Sequence, residues 1–114
     1  NSISHLEEFV ESTFACWEKR IPFGTYNVTN PGAIMTSDVV RWIQEETARR
    51  DKEGLPSPFP RSYAFFDNLE SFMQIAAKTP RSNCVLDTAK LTRAGITLTP
   101  VEDAVRKALR DWIP

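Results

Sequence analysis

Few residues in this chain have the types and spacing to do chemistry, and they fall in two short stretches. In "KTPRSNCVLDTAKL", residues 78–91, Arg81 and Asn83 stand just before the apolar run Cys84-Val85-Leu86. A guanidinium keeps its charge and presents a rigid fork of donors, so it suits a phosphate or a carboxylate. Asn83 adds one more donor and acceptor. In "NVTNPG", residues 27–32, Thr29 and Asn30 close an alternating segment. The ends of strands are where ligand crevices of α/β folds lie. Each residue also has a plainer use. Arg81 can pair with a surface carboxylate, Asn83 can cap a turn, and Asn30 before Pro31 can serve the turn alone. Asp87 reads as a helix cap and Lys90 as a solvated cation.

Other chemistries are excluded by what is missing. The four glycines are Gly24, Gly32, Gly54 and Gly95, so neither a G-x-G-x-x-G loop nor a P-loop can form. Tyr26 and Tyr63 are followed four residues later by Asn30 and Asp67, which leaves no Tyr-x-x-x-Lys pair. The single histidine, His5, sits at the start of an amphipathic segment, where it reads as a cap neighbour or a packing residue. Glu7 and Glu8 are adjacent, and adjacency on a helix sends them to different faces. No catalytic residue and no metal or cofactor site is expected within the chain.

Composition bounds the class. The 114 residues suffice for one domain, with 41% hydrophobic and 25% charged residues. A net charge of −1 gives no basic excess for nucleic acid. No apolar run approaches the roughly 20 residues of a membrane span. The start at Asn1 reads as part of a longer chain. Cys16 and Cys84 lie far apart and read as reduced core thiols of a cytoplasmic protein, with one disulfide as the alternative.

The elements that must position Arg81 and Thr29 follow from the pattern. "SHLEEFVESTFACWEKR" reads as a first helix, capped by Ser4 with Glu7, with Leu6, Phe9, Val10, Thr13 and Trp17 as its core face. "GTYNVT" (24–29) reads as a strand. A second helix starts at Thr36 or Ser37, buries Val39, Val40, Trp42 and Ile43, and runs to about Arg50. A surface loop follows through Arg61. "SYAFF" (62–66) reads as a strand, and Asp67 with Glu70 opens a third helix. "NCVL" (83–86) is extended, and Asp87 caps a short helix that ends at Gly95. Thr99 with Glu102, and Pro100 as the first helical residue, open a last helix. That helix buries Val101, Ala104, Val105, Ala108, Leu109 and Trp112. The order predicts an α/β, or α+β-like, lobe in which helices surround a sheet of two or three strands.

"GTYNVTNPGAIMTSDVVRWI" and "KTPRSNCVLDTAKLTRAGITLTPVEDAVRKAL" together resemble the C-terminal part of extended short-chain dehydrogenases/reductases. The nearest branch is the dTDP-4-dehydrorhamnose reductase-like and UDP-rhamnose synthase-like group. "ISHLEEFV" resembles the segment that precedes this region, so the likeness spans nearly the whole chain; the proline-rich loop, 50–61, departs from it. The resemblance implies that residues 1–114 form the substrate-binding lobe of a two-lobed NAD(P)-dependent nucleotide-sugar reductase or epimerase. The companion Rossmann lobe would bind NAD or NADP and supply the catalytic Tyr and Lys. It also implies a nucleotide-diphosphate sugar as ligand, with Arg81 at its diphosphate or nucleotide part; Asn83, Thr29 and Asn30 join it as binding residues on the chemical grounds given above. Alone, such a lobe would be inactive, and it would expose an apolar face where its companion docks. A stand-alone protein-interaction module is the alternative.

Overall fold

The computed structural model describes residues 1–76 and 84–112. Among the described residues five helices form: α1 Leu6–Glu18, α2 Thr36–Glu53, α3 Leu69–Ala76, α4 Ala89–Arg93 and α5 Val101–Asp111. No β-strand forms among the described residues, so the expected helices-around-a-sheet α/β lobe is replaced by helices joined by extended segments. The physical reason lies in who partners the backbone. In residues 24–29, Lys90 Nζ donates to Thr25 O at 2.9 Å and Ser4 Oγ donates to Val28 O at 3.0 Å. At residues 84–86, Asn1 Oδ1 accepts the Cys84 N–H at 3.1 Å and Ser2 Oγ accepts the Leu86 N–H at 2.9 Å. Side chains thus take backbone groups that a ladder would need. Residues 62–66 form no strand either.

Helix ends are set locally, but several expected caps moved. The Ser4–Glu7 box does not form: His5 is the N-cap of α1, while Glu7 pairs with Lys107. Met35 precedes α2, and its N–H is taken by the Asp38 carboxylate at 3.0 Å. α2 continues past Arg50 to Glu53 and stops at Gly54, where φ is +69°. Leu55 N–H reaches Arg50 O and Gly54 N–H reaches Asp51 O, the paired bonds of a Schellman ending. Asn68, not Asp67, caps α3 through the Ser71 N–H. Asp87 Oδ1 accepts the Ala89 N–H at 2.8 Å, but the N-cap of α4 is Thr88, whose side chain makes no capping bond. Gly95 is left-handed with φ +81°, as read for the end of α4. Pro100 lies just before α5 rather than inside it, and Thr99 turns its hydroxyl to Glu8 instead of capping.

Two apolar clusters hold these pieces. Ile34, Trp42, Val101 and Leu109 join α2 to α5, with Val39, Ile43, Phe59 and Val105 packed around them. Leu91, Ile96 and Leu98 form the second, against Ala15, Cys16, Ile21, Tyr26 and Val28. Arg50 is buried and pins α5: it bonds Glu46 and donates to the carbonyls of Leu109, Arg110 and Trp112. Those carbonyls would otherwise have no partner at the helix end. The loop after α2 is tied down as well, by Arg61 on Asp51 and by Phe59 in the core.

α1 packs the opposite way round from the expectation. Ala15 and Cys16 touch the second cluster and Ser12 is its buried residue. The apolar stripe faces out: Leu6 is 75%, Phe14 63% and Trp17 78% exposed. Trp112 is also more than half exposed rather than buried. Both cysteines are free thiols, but Cys84 is exposed rather than in a core.

Candidate functional site

Asn1–Ser4 runs between the two stretches that carry the candidate residues. On one side, Ile34 N–H bonds Asn1 O at 3.1 Å and Asn30 N–H bonds Ile3 O at 3.1 Å. On the other, Ser2 N–H bonds Cys84 O at 2.8 Å. Asn27 Nδ2 also donates to Asp87 O at 2.9 Å. "NVTNPG" and the "CVLD" end of the second stretch are therefore neighbours, although more than fifty residues separate them in sequence. Arg81 and Asn83 lie outside the described residues.

Thr29 and Asn30 are buried at the centre of this junction, with Asn30 only 1% exposed. Thr29 Oγ1 donates to Ile3 O at 2.8 Å. Asn30 Oδ1 accepts the His5 N–H at 2.7 Å, and its Nδ2 donates to Glu8 Oε2 and Thr99 O, both at 2.9 Å. An amide side chain has two donors and one carbonyl oxygen, so its hydrogens are fully engaged with the protein. Asn30 thus ties the start of α1 to the entry of α5, and its chemical output is a fixed backbone at Pro31-Gly32. Gly32 is required there. Its φ is +105°, and an added Cβ would stand 3.1 Å from Val101 Cγ1. Pro31 O meanwhile accepts the Val101 N–H at 2.9 Å, which seats α5 on the turn.

Glu8 completes the network. Burial opposes its ionisation, but the Thr99 hydroxyl and N–H and the Asn30 amide all donate to it, and together they hold its carboxyl below the usual value. Neither Glu8 nor Thr99 was expected in this role. The available signal was positional: Glu8, Ser12 and Ala15 share the α1 face opposite Leu6, Phe14 and Trp17. Beside the network, a groove of about 420 Å³ runs between the start of α1 and α5. Leu6, Val105, Ala108 and Trp112 make it largely apolar, and His5 and Asp111 supply polar edges. His5 Nδ1 is buried there without a hydrogen-bond partner. Such a groove can accept an apolar or aromatic group with one polar contact.

No family model, curated protein or solved structure matches this chain. The remaining guides to function are the chemistry above and the shape of the molecule. Among the described residues no cluster of three or more His, Cys, Asp or Glu could hold a metal ion. No helix among them is long and apolar enough to cross a membrane. The Cys16 thiol lies half-buried beside a second, open hollow near the end of α1, lined by Trp17, Arg20 and Ile21.

Proposed function

We propose that this chain is the nucleotide-sugar-binding lobe of an NAD(P)-dependent sugar-nucleotide reductase or epimerase, inactive without its companion lobe. The observation that carries the reading is the junction at Asn1–Ser4. It brings together the two stretches on which the family resemblance rests, through Asn27 on Asp87 and Ser2 on Cys84. In this reading Thr29 and Asn30 hold the turn from within. Arg81 and Asn83, one to three residues before Cys84, supply the donors that meet a diphosphate. Substrate is positioned here, while hydride transfer belongs to groups of the Rossmann lobe, which also holds NAD or NADP.

The test is a pair of titrations. The chain alone should bind neither NADH nor NADPH in the micromolar range. In the complete enzyme, Arg81→Ala should weaken nucleotide-sugar binding about ten- to a hundred-fold, as expected for losing a charge-assisted contact. Cofactor affinity should be unchanged, and Arg81→Lys should recover only part of the loss. Micromolar cofactor binding by the chain alone, or equal sugar affinities for wild type and Arg81→Ala, would overturn the assignment. The second reading, an interaction module without catalysis, is favoured by one observation, the lack of any sheet among the described residues where the lobe reading expects one. It predicts a partner protein and no nucleotide-sugar binding at all.

A further inference from the structure

We propose that the outward face of α1 is seated, in the assembled enzyme, on a surface of the companion lobe that is apolar along its centre and basic along one flank. The proposal deepens the lobe reading and rests on it for the expectation that such a surface exists. At about 100° per residue, Leu6, Val10 and Trp17 fall close to one line on the helix. Phe9 and Thr13 lie to one side and Phe14 to the other. All five apolar members are at least 41% exposed. At roughly 150–250 Å² per aromatic side chain, Phe14 and Trp17 alone present about 300 Å². With Leu6, Phe9 and Val10, the stripe reaches the size of the largest apolar patches on monomeric proteins, which are often functional. Near Leu6 the stripe runs into the apolar groove that ends at Trp112.

Charge selects the occupant. Glu7, Glu11 and Glu18 follow one another along the edge beside Phe14, and α1 contains no basic residue. Lys107 answers Glu7, whereas Glu11 and Glu18 make no ion pair among the described residues. A second copy of this chain packing α1 antiparallel on α1 would bring acidic edges together. A surface with Lys or Arg along one border would match the edge and raise the rate of correct encounter.

Two synthetic amphipathic helical peptides test this on the 114-residue chain. They share one Leu/Phe stripe; one carries lysines along a single edge and the other carries glutamates there. The lysine-edged peptide should bind about tenfold more tightly at low salt, as two rim pairs allow. High salt should erase most of that preference. Glu11→Gln with Glu18→Gln should remove the preference while keeping binding, and Phe14→Ser with Trp17→Ser should abolish binding of both. These positions are exposed, so folding is not at stake. Equal affinity for the two peptides, or binding of neither, overturns the proposal. So does a low-salt dimer of the chain that Trp17→Glu dissolves. The peptides do not touch Arg81: selection of the lysine edge in a protein whose complete form binds no nucleotide-sugar would sink the enzyme reading and leave the docking chemistry standing.

Discussion

Glu46 is strongly shaped by its surroundings. Hydrogen bonds from Arg49, then from Arg50, lower its carboxyl from 4.5 to about 2 against the opposing effect of burial. The pairing is consequential because Arg50, buried beside it, caps α5. A depressed carboxylate pKa stabilises the fold above the unfolded value and loses that contribution as pH falls through the folded one. Stability should therefore fall as pH drops from about 4.5 towards 2, by at most about 3 kcal/mol from this residue. Glu8, also held below its usual value, loses its contribution on acidification in the same sense. Denaturant titrations across this range check it: Glu46→Gln should be less stable than wild type at neutral pH and show a flatter acid limb. An unchanged acid limb in Glu46→Gln would remove the Glu46–Arg50 pair from that role. At the same scale, the contact of Asp87 with the Ala89 N–H was legible because an Asx turn spans two residues, although Thr88 rather than Asp87 is the N-cap of α4. Asn30 was singled out for a ligand, yet its partners His5, Glu8 and Thr99 lie up to 69 residues away. No local rule reports such a network.

At the scale of elements, α1 and α2 are equally helical by pattern and opposite in use. Trp42 on α2 is buried at 3% exposure between Arg41 and Arg106, whose guanidinium groups lie 5.7 and 5.2 Å from its ring. Trp17 on α1 faces out. In the chain alone, Trp42→Ala should cost about 3–5 kcal/mol, as large-to-small core changes do. Trp17→Gln should stay within about 0.5 kcal/mol, as surface changes do. Thermal or chemical unfolding of the two variants measures this directly. A large loss from Trp17→Gln would mean that the stripe is covered within the chain itself. The periodicity of Leu6, Phe9, Val10 and Trp17 announces an amphipathic helix in the sequence, but it does not say what the apolar side meets.

The whole molecule is flat and open. Its extents are 46 × 42 × 18 Å and its Cα radius of gyration is 17.3 Å, where a compact domain of this length has about 13 Å. Its accessible surface is 8512 Å², against roughly 6,300 Å² for a folded monomer of this mass. A body of this shape leaves much of its surface uncovered. Small-angle scattering of the isolated chain should return a radius near 17 Å and an apolar dye should bind. A radius near 13 Å would contradict the open form. The sequence by itself determined the helical segments, the left-handed ending at Gly95, the Asp87 turn onto the Ala89 N–H and the absence of a glycine phosphate loop. These depend on propensity, on glycine's freedom and on contacts a few residues long. Only the tertiary structure decided that the β-rich segments form no sheet among the described residues, that α1 turns its apolar stripe outward and that Asn30 locks α1 to α5. A strand needs a partner whose backbone groups are free, and here Lys90, Ser4, Asn1 and Ser2 had already taken them. The direction a helix faces is likewise set by what packs on it, and that is a property of distant residues.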